Sequence, residues 1–485
     1  MAIKFKDSGT ILRVAIYSRI VLLSLIILWR SLFSPYDTSA SINPNCLSPN
    51  SSTPKIPILF PKIATAIEDS IVWDSDYFVR ISQCGYEYEQ TYAFLPLLPI
   101  SMSLFSKTVF APLVPLIGHR AVLGLSGYVL TNVAFVIAAV YMYRLSVIIL
   151  KDTDAALRAS ILFCFNPASI FYSSIYSESL YALLSIAGIY HLVSGASNYA
   201  MLLLALSGSA RSNGALNAGY FCFQSLHRAY EAFNARKHPA VVIWILSAGL
   251  LRSLFIFAPF IAFQAYGYYN MCLGRASNEM RPWCKYKIPS LGVGFLRYFQ
   301  LKQLPNFLLA SPILSLALCS IVHYMKLRPT IFFSLGFRAS NEEKHSAYVL
   351  FSLTQDLKPN TKKQDEKSVS KRLQGDGTLR QRKQNVKGDN LAFPSKNEFS
   401  LPGYLSIIVL PFVLHLGFMA ATAFFIMHVQ VSTRFLSASP PLYWFASYVM
   451  ISPAFGKKWG YLIWAYSTGY ILLGSLLFSN FYPFT

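Results

Sequence analysis

The sequence predicts an all-α, polytopic integral membrane protein in which about eleven transmembrane helices form a single membrane-embedded domain across residues 1–485. Hydrophobic residues make up 54% of the chain and charged residues only 13%, where a soluble domain carries about a quarter charged residues. The apolar residues also form long runs instead of alternating with polar ones, which is typical of membrane-spanning helices. The net charge of +21 does not indicate nucleic-acid binding, because the basic residues mostly flank those runs and so set membrane topology.

The first apolar run covers residues 13–33 and predicts the first span. Lys4, Lys6 and Arg13 stand at its start, which places the N-terminus in the cytosol. The run is too long for a cleaved signal peptide and lacks a small-residue cleavage site, so it indicates a membrane anchor. The chain then enters a large first luminal loop, residues 35–118.

The first luminal loop is acidic in its first part, where residues 35–92 carry seven acidic side chains against three basic ones. A cytosolic loop would show the reverse balance. The loop also contains an N-glycosylation sequon at Asn50, which is consistent with a luminal position. Its last part, residues 93–117, is apolar but contains four prolines, which favours helices that lie in the luminal interface over a regular span.

Ten further apolar segments predict the remaining spans: residues 120–145, 157–170, 179–194, 199–210, 214–226, 240–264, 304–325, 402–427, 440–455 and 459–478. Basic clusters mark the turns that we assign to the cytosol. Residues 210–214, ARSNG, form a polar interruption, and irregular backbone at membrane depth is tolerated only where it is buried or lines a cavity. Residues 355–398 have almost no apolar periodicity and predict a disordered, basic cytosolic loop.

The stretch from residue 73 to 99 concentrates chemically active groups between apolar segments. It contains Asp74, Asp76, Glu87 and Glu89 among tryptophan and tyrosine side chains. Aromatic rings stack on sugar faces and carboxylates accept sugar hydroxyls, and one carboxylate can act as a general base toward an acceptor hydroxyl. Judged by spacing alone, an amphipathic helix with its aromatic rings at headgroup depth explains the stretch better.

Six sequence blocks indicate a function more specifically than residue spacing does, because both their residues and their order along the chain are distinctive. They are WDSDYF with GYEYEQTYAFLPLLP, NPASIFYSSIYSESLYALL at 166–184, ARSNG at 210–214, PWC at 282–284, GFLRYFQLKQLPNFLLASP at 294–312 and HVQVSTRFLSASPPLYWF at 428–445. In these blocks the chain resembles the GPI mannosyltransferase 2 (PIG-V) family. The resemblance implies a GT-C-type glycosyltransferase in the endoplasmic reticulum membrane, with a luminal active site. It also implies transfer of the second mannose, in α-1,6 linkage and with inversion, from dolichyl-phosphate mannose to the GPI precursor.

The same resemblance implies roles for the two aspartates of WDSD. Asp74 matches the family's luminal Asp after Trp and would take the proton from the acceptor hydroxyl as a general base. Asp76 would support Asp74 or contact sugar, with a helix N-cap as an equal alternative. The string also resembles the metal-binding DxD motif of nucleotide-sugar enzymes, but a lipid-phosphate donor has no diphosphate to hold a metal. We therefore predict no metal site and no cofactor, although a divalent cation is compatible with this chemistry.

Five further side chains are predicted to bind substrate: Glu178, Arg211, Lys302, His428 and Arg434. Glu178 is an ionisable residue in a predicted luminal loop, and it either acts on substrate or pairs with a buried arginine such as Arg211. Arg211 is that structural partner or a donor to phosphate or sugar. Arg434 and His428 match a block that faces the donor phosphate in related enzymes, and the planar guanidinium suits phosphate oxygens. For Arg434 and Lys302 the alternative is a side chain that snorkels to the interface.

The expected partners are dolichyl-phosphate mannose, the GPI precursor and membrane lipids. A small membrane-protein subunit is a further candidate partner, and no nucleic acid is expected. A transporter or scramblase of lipids or sugars is an alternative from another class, since it would also use broken helices and intramembrane charges. No internal repeat of the transporter kind is visible in the sequence. A GT-C transferase that acts on another glycolipid is the second alternative.

The cysteines predict one disulfide. The seven cysteines show no paired CxxC spacing, which argues against a zinc site. Cys272 and Cys284 both fall in a predicted luminal loop, residues 266–300, and disulfides persist in the oxidising lumen. We therefore predict a bond between them, with Cys46 and Cys84 as competing luminal partners.

Overall fold

The protein is described by a computed structural model that covers residues 7–36, 46–47, 58–273, 284, 294–351, 403–453, 456–482 and 484. Every regular element among these residues is a helix. This confirms the predicted all-α class. Residues 355–398 and the sequon at Asn50 lie outside the described residues.

The first half of the described chain contains eleven helices. They are α1 (Ser8–Leu32), α2 (Pro61–Asp69), α3 (Asp74–Cys84), α4 (Leu97–Lys107), α5 (Val114–Ile117), α6 (His119–Leu150), α7 (Thr153–Cys164), α8 (Ser169–Ser173), α9 (Glu178–Val193), α10 (Ser197–Ala210) and α11 (Ala218–Asn234). The second half adds α12 (Pro239–Cys272), α13 (Leu304–Leu327), α14 (Pro329–Phe333), α15 (Asn341–Ser346), α16 (Tyr348–Phe351), α17 (Leu410–Phe425), α18 (Ser432–Leu436), α19 (Pro440–Met450) and α20 (Gly456–Ser479).

Six of the described segments are long and apolar enough to cross a membrane. They are Ser8–Leu32, His119–Leu150, Pro239–Cys272, Leu301–Leu327, Ile407–Phe425 and Gly456–Ser479. The chain is therefore a polytopic membrane protein. The other five predicted spans overlap α7, α9, α10, α11 and α19, none of which exceeds 17 residues, so the count of eleven stays a prediction.

The proline-rich end of the first loop forms a broken helix. In it α4 and the segment Ala111–Ile117 meet at an angle of 68°. Prolines cannot donate the backbone hydrogen bonds that would continue a straight helix through this point. The bend agrees with the prediction that residues 93–117 do not form a regular span.

The bundle is organised around α6, which packs against α1, α4, α7 and α9. Small residues permit close approach between membrane helices. A Cβ added at Gly127 of α6 would meet Ile175 and Met102, and one added at Gly188 of α9 would meet Leu204 of α10. Because α3 packs against α4 and α6, the polar ends of α3, α9 and α10 meet at one end of the bundle.

Two disulfides secure the loops at that same end. Cys272 at the end of α12 is bonded to Cys284, which confirms the predicted pairing. Cys46 and Cys84, the two competing partners, are bonded to each other at the end of α3. The two disulfides therefore close two separate loops, one that ends at α3 and one that follows α12.

The opposite end of the bundle is covered by α14, α15 and α16, which lie between the predicted spans 304–325 and 402–427. A capping box of Ser340 and Glu343 begins α15, and Glu343 also forms an ion pair with Arg328. Gln224 of α11 donates to the Val349 carbonyl at 2.8 Å. The segment before residue 352 is thus ordered by its packing under α11.

Candidate active site

Four of the predicted site residues meet around one guanidinium group. Arg434 Nε donates to Glu178 Oε1 at 2.7 Å, and Arg434 Nη1 lies 3.6 Å from Asp74 Oδ2. Arg211 forms an ion pair with the same Glu178 oxygen. The four side chains come from α3, the start of α9, the end of α10 and α18. We call Asp74, Glu178, Arg211 and Arg434 the charged cluster.

Asp74 reaches the cluster because it is the first residue of α3. The preceding Trp73 has a φ of 55°, a left-handed conformation that turns the chain sharply into the helix. Trp73 Nε1 donates to the Phe478 carbonyl at 3.2 Å, and the Asp74 backbone N–H donates to Tyr176 Oη at 3.1 Å. A carboxylate in the first turn of a helix is also favoured by the helix dipole.

Glu178 and Arg211 lie next to two interruptions between helices. The break after α7 leads through the short α8 to Glu178, the first residue of α9. Arg211 directly follows α10, where a 3-10 turn, Ser212–Asn217, begins. A Cβ at Gly214 would overlap the backbone of Ser207, so the turn can fold back against α10 only with glycine there. The polar interruption predicted at ARSNG is therefore a compact turn.

Aromatic rings support the Arg434 guanidinium from α8 and the turn after it. Its Cζ lies 4.4 Å from the ring centre of Phe171 and 4.8 Å from that of Tyr176. Both rings attract the cation through their π faces and restrict its orientation. Tyr172 also hydrogen-bonds Ser437 Oγ at 2.9 Å, which fixes the segment after Arg434. The sequence blocks contained these aromatic residues, but only their position in space shows what they support.

The two carboxylates of the cluster are held differently. Glu178 is buried, with only 2% of its side chain exposed, and its Oε1 serves both arginines while Oε2 has no hydrogen-bond partner among the described residues. Asp74 is 38% exposed and has the longer contact with Arg434. Asp74 is therefore the more accessible of the two carboxylates.

Burial within the surrounding protein raises the pKa of Asp74, and the positive charge of Arg434 opposes that rise. The nearby Glu178 charge raises the Asp74 pKa further. A raised pKa makes a carboxylate a stronger base, provided that it stays ionised at the working pH. The cluster thus contains an accessible base beside a cation that can bind an anionic group.

The other three predicted residues have their described contacts elsewhere. Asp76 forms an ion pair with Arg120 of α6, a contact that ties α3 to the bundle. The ring of His428 packs edge-on against Tyr298 at 4.9 Å. Lys302 is exposed on the 3-10 segment Leu301–Gln303. Residues two apart on a helix point in different directions, which explains why Asp76 does not follow Asp74 to Arg434.

A buried arginine that was not identified from the sequence secures α8 from its other side. Arg19 of α1 donates through Nη1 to the Ser169 carbonyl at 3.2 Å and to Ser173 Oγ at 3.0 Å. Its Nη2 donates to the Cys164 carbonyl at 3.0 Å. These acceptors lie at the end of α7 and along α8. We call Arg19 with these acceptors the α8 clamp.

The family of the chain is decided by comparison with known proteins. The model of the family described as Mannosyltransferase (PIG-V) matches residues 7–485, almost the whole chain. The chain belongs to the PIG-V mannosyltransferase family. It is therefore a glycosyltransferase, and the transporter or scramblase alternative falls away.

Similar proteins extend across animals and fungi. Human GPI alpha-1,6-mannosyltransferase 2 is 27% identical over 471 residues, which cover 91% of this chain and 83% of the human protein. GPI mannosyltransferase 2 of Drosophila melanogaster is 28% identical over 458 residues, 85% of this chain and 86% of the fly protein. GPI mannosyltransferase 2 of Chaetomium globosum is 31% identical over 300 residues, 53% of this chain and 63% of the fungal protein. No solved structure matches the chain with significance. The charged cluster is thus the candidate active site of a PIG-V mannosyltransferase.

Proposed function

We propose that this enzyme transfers mannose from dolichyl-phosphate mannose to the first mannose of a GPI precursor, forming an α-1,6 linkage in the lumen of the endoplasmic reticulum. The linkage and the pathway are supported by its similarity to mammalian proteins named GPI alpha-1,6-mannosyltransferase 2. One structural observation supports the chemistry most directly. A single guanidinium, Arg434, joins a buried carboxylate to an accessible one.

Arg434 and Arg211 bind the donor phosphate in this proposal. The planar guanidinium of Arg434 offers several N–H donors, of which Nε is committed to Glu178. The phosphate competes with Asp74 for Nη1, whose 3.6 Å contact is the weaker of the two. Binding of the donor therefore releases Asp74 from its cation while Glu178 keeps Arg434 in place.

Asp74 then acts as the general base. It takes the proton from the acceptor hydroxyl while that oxygen forms a bond to the anomeric carbon of mannose. The bond between the anomeric carbon and the phosphate oxygen breaks on the opposite face, and dolichyl phosphate leaves with the electron pair. One displacement converts the β-linked donor into an α-linked product, so the configuration inverts. No metal or cofactor takes part in this sequence.

The membrane arrangement that we propose has about eleven spans in a GT-C-type fold, with the charged cluster on the luminal side. The acidic balance of residues 35–92 supports this orientation, because basic residues concentrate on the cytosolic side of membrane proteins. The two disulfides of the same end also require an oxidising compartment. ER localisation follows from the proposed pathway.

The donor and the acceptor can be tested together with purified enzyme in detergent. Labelled dolichyl-phosphate mannose is supplied with a synthetic GPI precursor that carries one mannose, and the product linkage is determined by digestion with linkage-specific mannosidases. We expect label in an α-1,6-linked second mannose. Label transferred only to another glycolipid would favour the alternative acceptor, and no transfer from this donor would overturn the proposal. Asp74→Asn enzyme, which lacks the proposed base, serves as the negative control.

A further inference from the structure

A large cavity lies between α13, α19 and α20, on the outside of the bundle. Its volume is about 1180 Å³, and its wall is mostly apolar. Outward-facing residues at its edge, Leu318 and Leu462, are 61% and 59% exposed. In a membrane-spanning bundle this surface faces hydrocarbon, so the cavity opens toward lipid.

One end of the cavity carries positive and polar groups. Lys326, an exposed residue at the end of α13, lines it together with His323, Ser452 and Trp459. The His323 ring packs against Phe445, and its Nε2 is buried without a hydrogen-bond partner among the described residues. An unpaired buried nitrogen is costly unless a ligand atom completes it.

The charge at this end is positive and is not balanced inside the cavity. Lys457 and Lys458 are exposed in the first turn of α20, directly before Trp459. The free N–H groups at the start of α20 add partial positive charge. No aspartate or glutamate is among the described residues that line the cavity. An anionic group is therefore the complementary occupant.

The length of the cavity matches a single lipid leaflet. Along α13 it runs from Pro312 to Lys326, and 14 residues of helix measure roughly 21 Å. Half of a hydrocarbon core measures about 15 Å, so an acyl chain whose headgroup lies at Lys326 reaches along most of this length. We propose that the cavity binds one glycerophospholipid with an anionic headgroup, its phosphate at Lys326 and His323 and its acyl chain along α13 and α20.

The isoprenoid chain of the donor is the competing occupant. The far end of the cavity is lined by Tyr443, whose hydroxyl donates to the Ser437 carbonyl at 2.5 Å, three residues after Arg434. A donor chain would place its phosphate at that end, near the charged cluster. The unmatched cations lie at the other end, which favours the phospholipid. The proposal concerns a site separate from the proposed active site and does not depend on the identity of the acceptor.

Trp459 provides a local reporter for the test. Full-length protein is reconstituted in phosphatidylcholine vesicles with increasing fractions of brominated phosphatidylserine or brominated phosphatidylcholine, since bromine quenches tryptophan fluorescence. The same titration of Trp459→Phe is subtracted to isolate the signal of Trp459. We expect phosphatidylserine to quench at about fivefold lower fraction, the ratio that one cation near an anionic headgroup gives.

Variants at the cationic end make the result specific. Lys326→Gln and His323→Gln should remove the preference for phosphatidylserine, whereas Lys107→Gln, which changes an exposed lysine on α4, should not. Equal quenching by the two lipids would mean ordinary membrane contact and would overturn the proposal. Relief of quenching by added dolichyl phosphate, with Lys326→Gln having no effect, would assign the cavity to the donor chain and overturn it as well.

Discussion

Two arginines pack against aromatic rings in this protein and have different polar partners. Arg19 lies 3.8 Å from the ring centre of Phe135, and Arg434 lies 4.4 Å from that of Phe171. The hydrogen-bond acceptors described for Arg19 are carbonyl and hydroxyl oxygens, all of them neutral. The polar partners described for Arg434 are two carboxylates.

The difference in partners explains what each arginine can do. Carbonyl oxygens of a fixed backbone cannot leave, so the α8 clamp holds its guanidinium permanently and fixes α8 in return. A carboxylate can be replaced by another anion, so the charged cluster can exchange one contact for a phosphate. The two sites also share α8, because it bears two of the residues that accept from Arg19, Ser169 and Ser173, and the Phe171 ring that contacts Arg434.

The largest expected effect comes from removing the base of the charged cluster. Asp74→Asn keeps the size of the side chain and can still contact Arg434, but the amide cannot accept the acceptor proton. We expect transfer to fall by about 10²–10⁴-fold, the usual contribution of a general base. Mannose transfer by purified, well-folded enzyme measures it. Near-normal turnover would remove Asp74 from the mechanism.

Two substitutions of Arg434, with a smaller expected effect, distinguish the contribution of its charge from that of its planar shape. Arg434→Ala loses the guanidinium, whereas Arg434→Lys keeps the charge but cannot contact Glu178 and a phosphate with the same planar fork. We expect Arg434→Ala to weaken donor use by about 10- to 100-fold, corresponding to ~1.5–3 kcal/mol for a charged hydrogen bond, and Arg434→Lys to weaken it less. The measurement is a titration with dolichyl-phosphate mannose. Wild-type behaviour of both variants would contradict the donor site.

The pH dependence of transfer offers a third test of the same cluster. The base must be ionised, so activity should fall as the pH drops through the pKa of Asp74. In the enzyme without donor, Arg434 lowers that pKa, so Arg434→Gln should raise it and move the acidic limb of the kcat/KM profile for the donor to higher pH. The residual rate of the variant is compared with wild type across the acidic range. A limb that stays in place would show that Asp74 does not control it.

The α8 clamp should respond differently from the cluster. Arg19→Met leaves buried acceptors without their donor, at ~1–3 kcal/mol for each one left unpaired. We expect a lower unfolding temperature together with a lower kcat and a nearly unchanged KM for the donor. Arg19→Lys, which restores a charged donor, should recover part of both losses. If stability falls while kcat does not, the clamp has no positioning role for the cluster.

The smallest effect is expected from changes to residues 355–398. Residues 355–398 are too polar to bury a core, so replacing them with a short Gly/Ser linker should leave activity and protein level unchanged. Rescue of cells that lack the native enzyme is the readout. Failure of rescue at a normal protein level would show that this segment has a role of its own.

Hydropathy predicted the apolar helices well, because a long apolar run in a membrane must satisfy its backbone hydrogen bonds internally, and a helix does this. Each predicted span overlaps a described helix. The members of the charged cluster were found through sequence blocks. The pairing of Glu178 with Arg211 was one of the alternatives given, but nothing in the sequence showed that Arg434 would join the same carboxylate. Arg19 was missed because its acceptors lie about 150 residues further along the chain. The helices α14, α15 and α16 under α11 were not predicted, because their order depends on packing, which periodicity does not report.

The disulfide at the end of α3 has a consequence for the maturation of the enzyme. The helix that begins with Asp74 ends at Cys84, which is bonded to Cys46, and the neighbouring Leu47 N–H donates to Glu87, the partner of Arg80 on the same helix. With this loop on the luminal side proposed above, the bond forms only after translocation. A newly made chain would therefore mature in two stages, first insertion and then oxidation. The enzyme would become active only after this disulfide has formed, and cells under reducing stress would accumulate inserted but inactive enzyme.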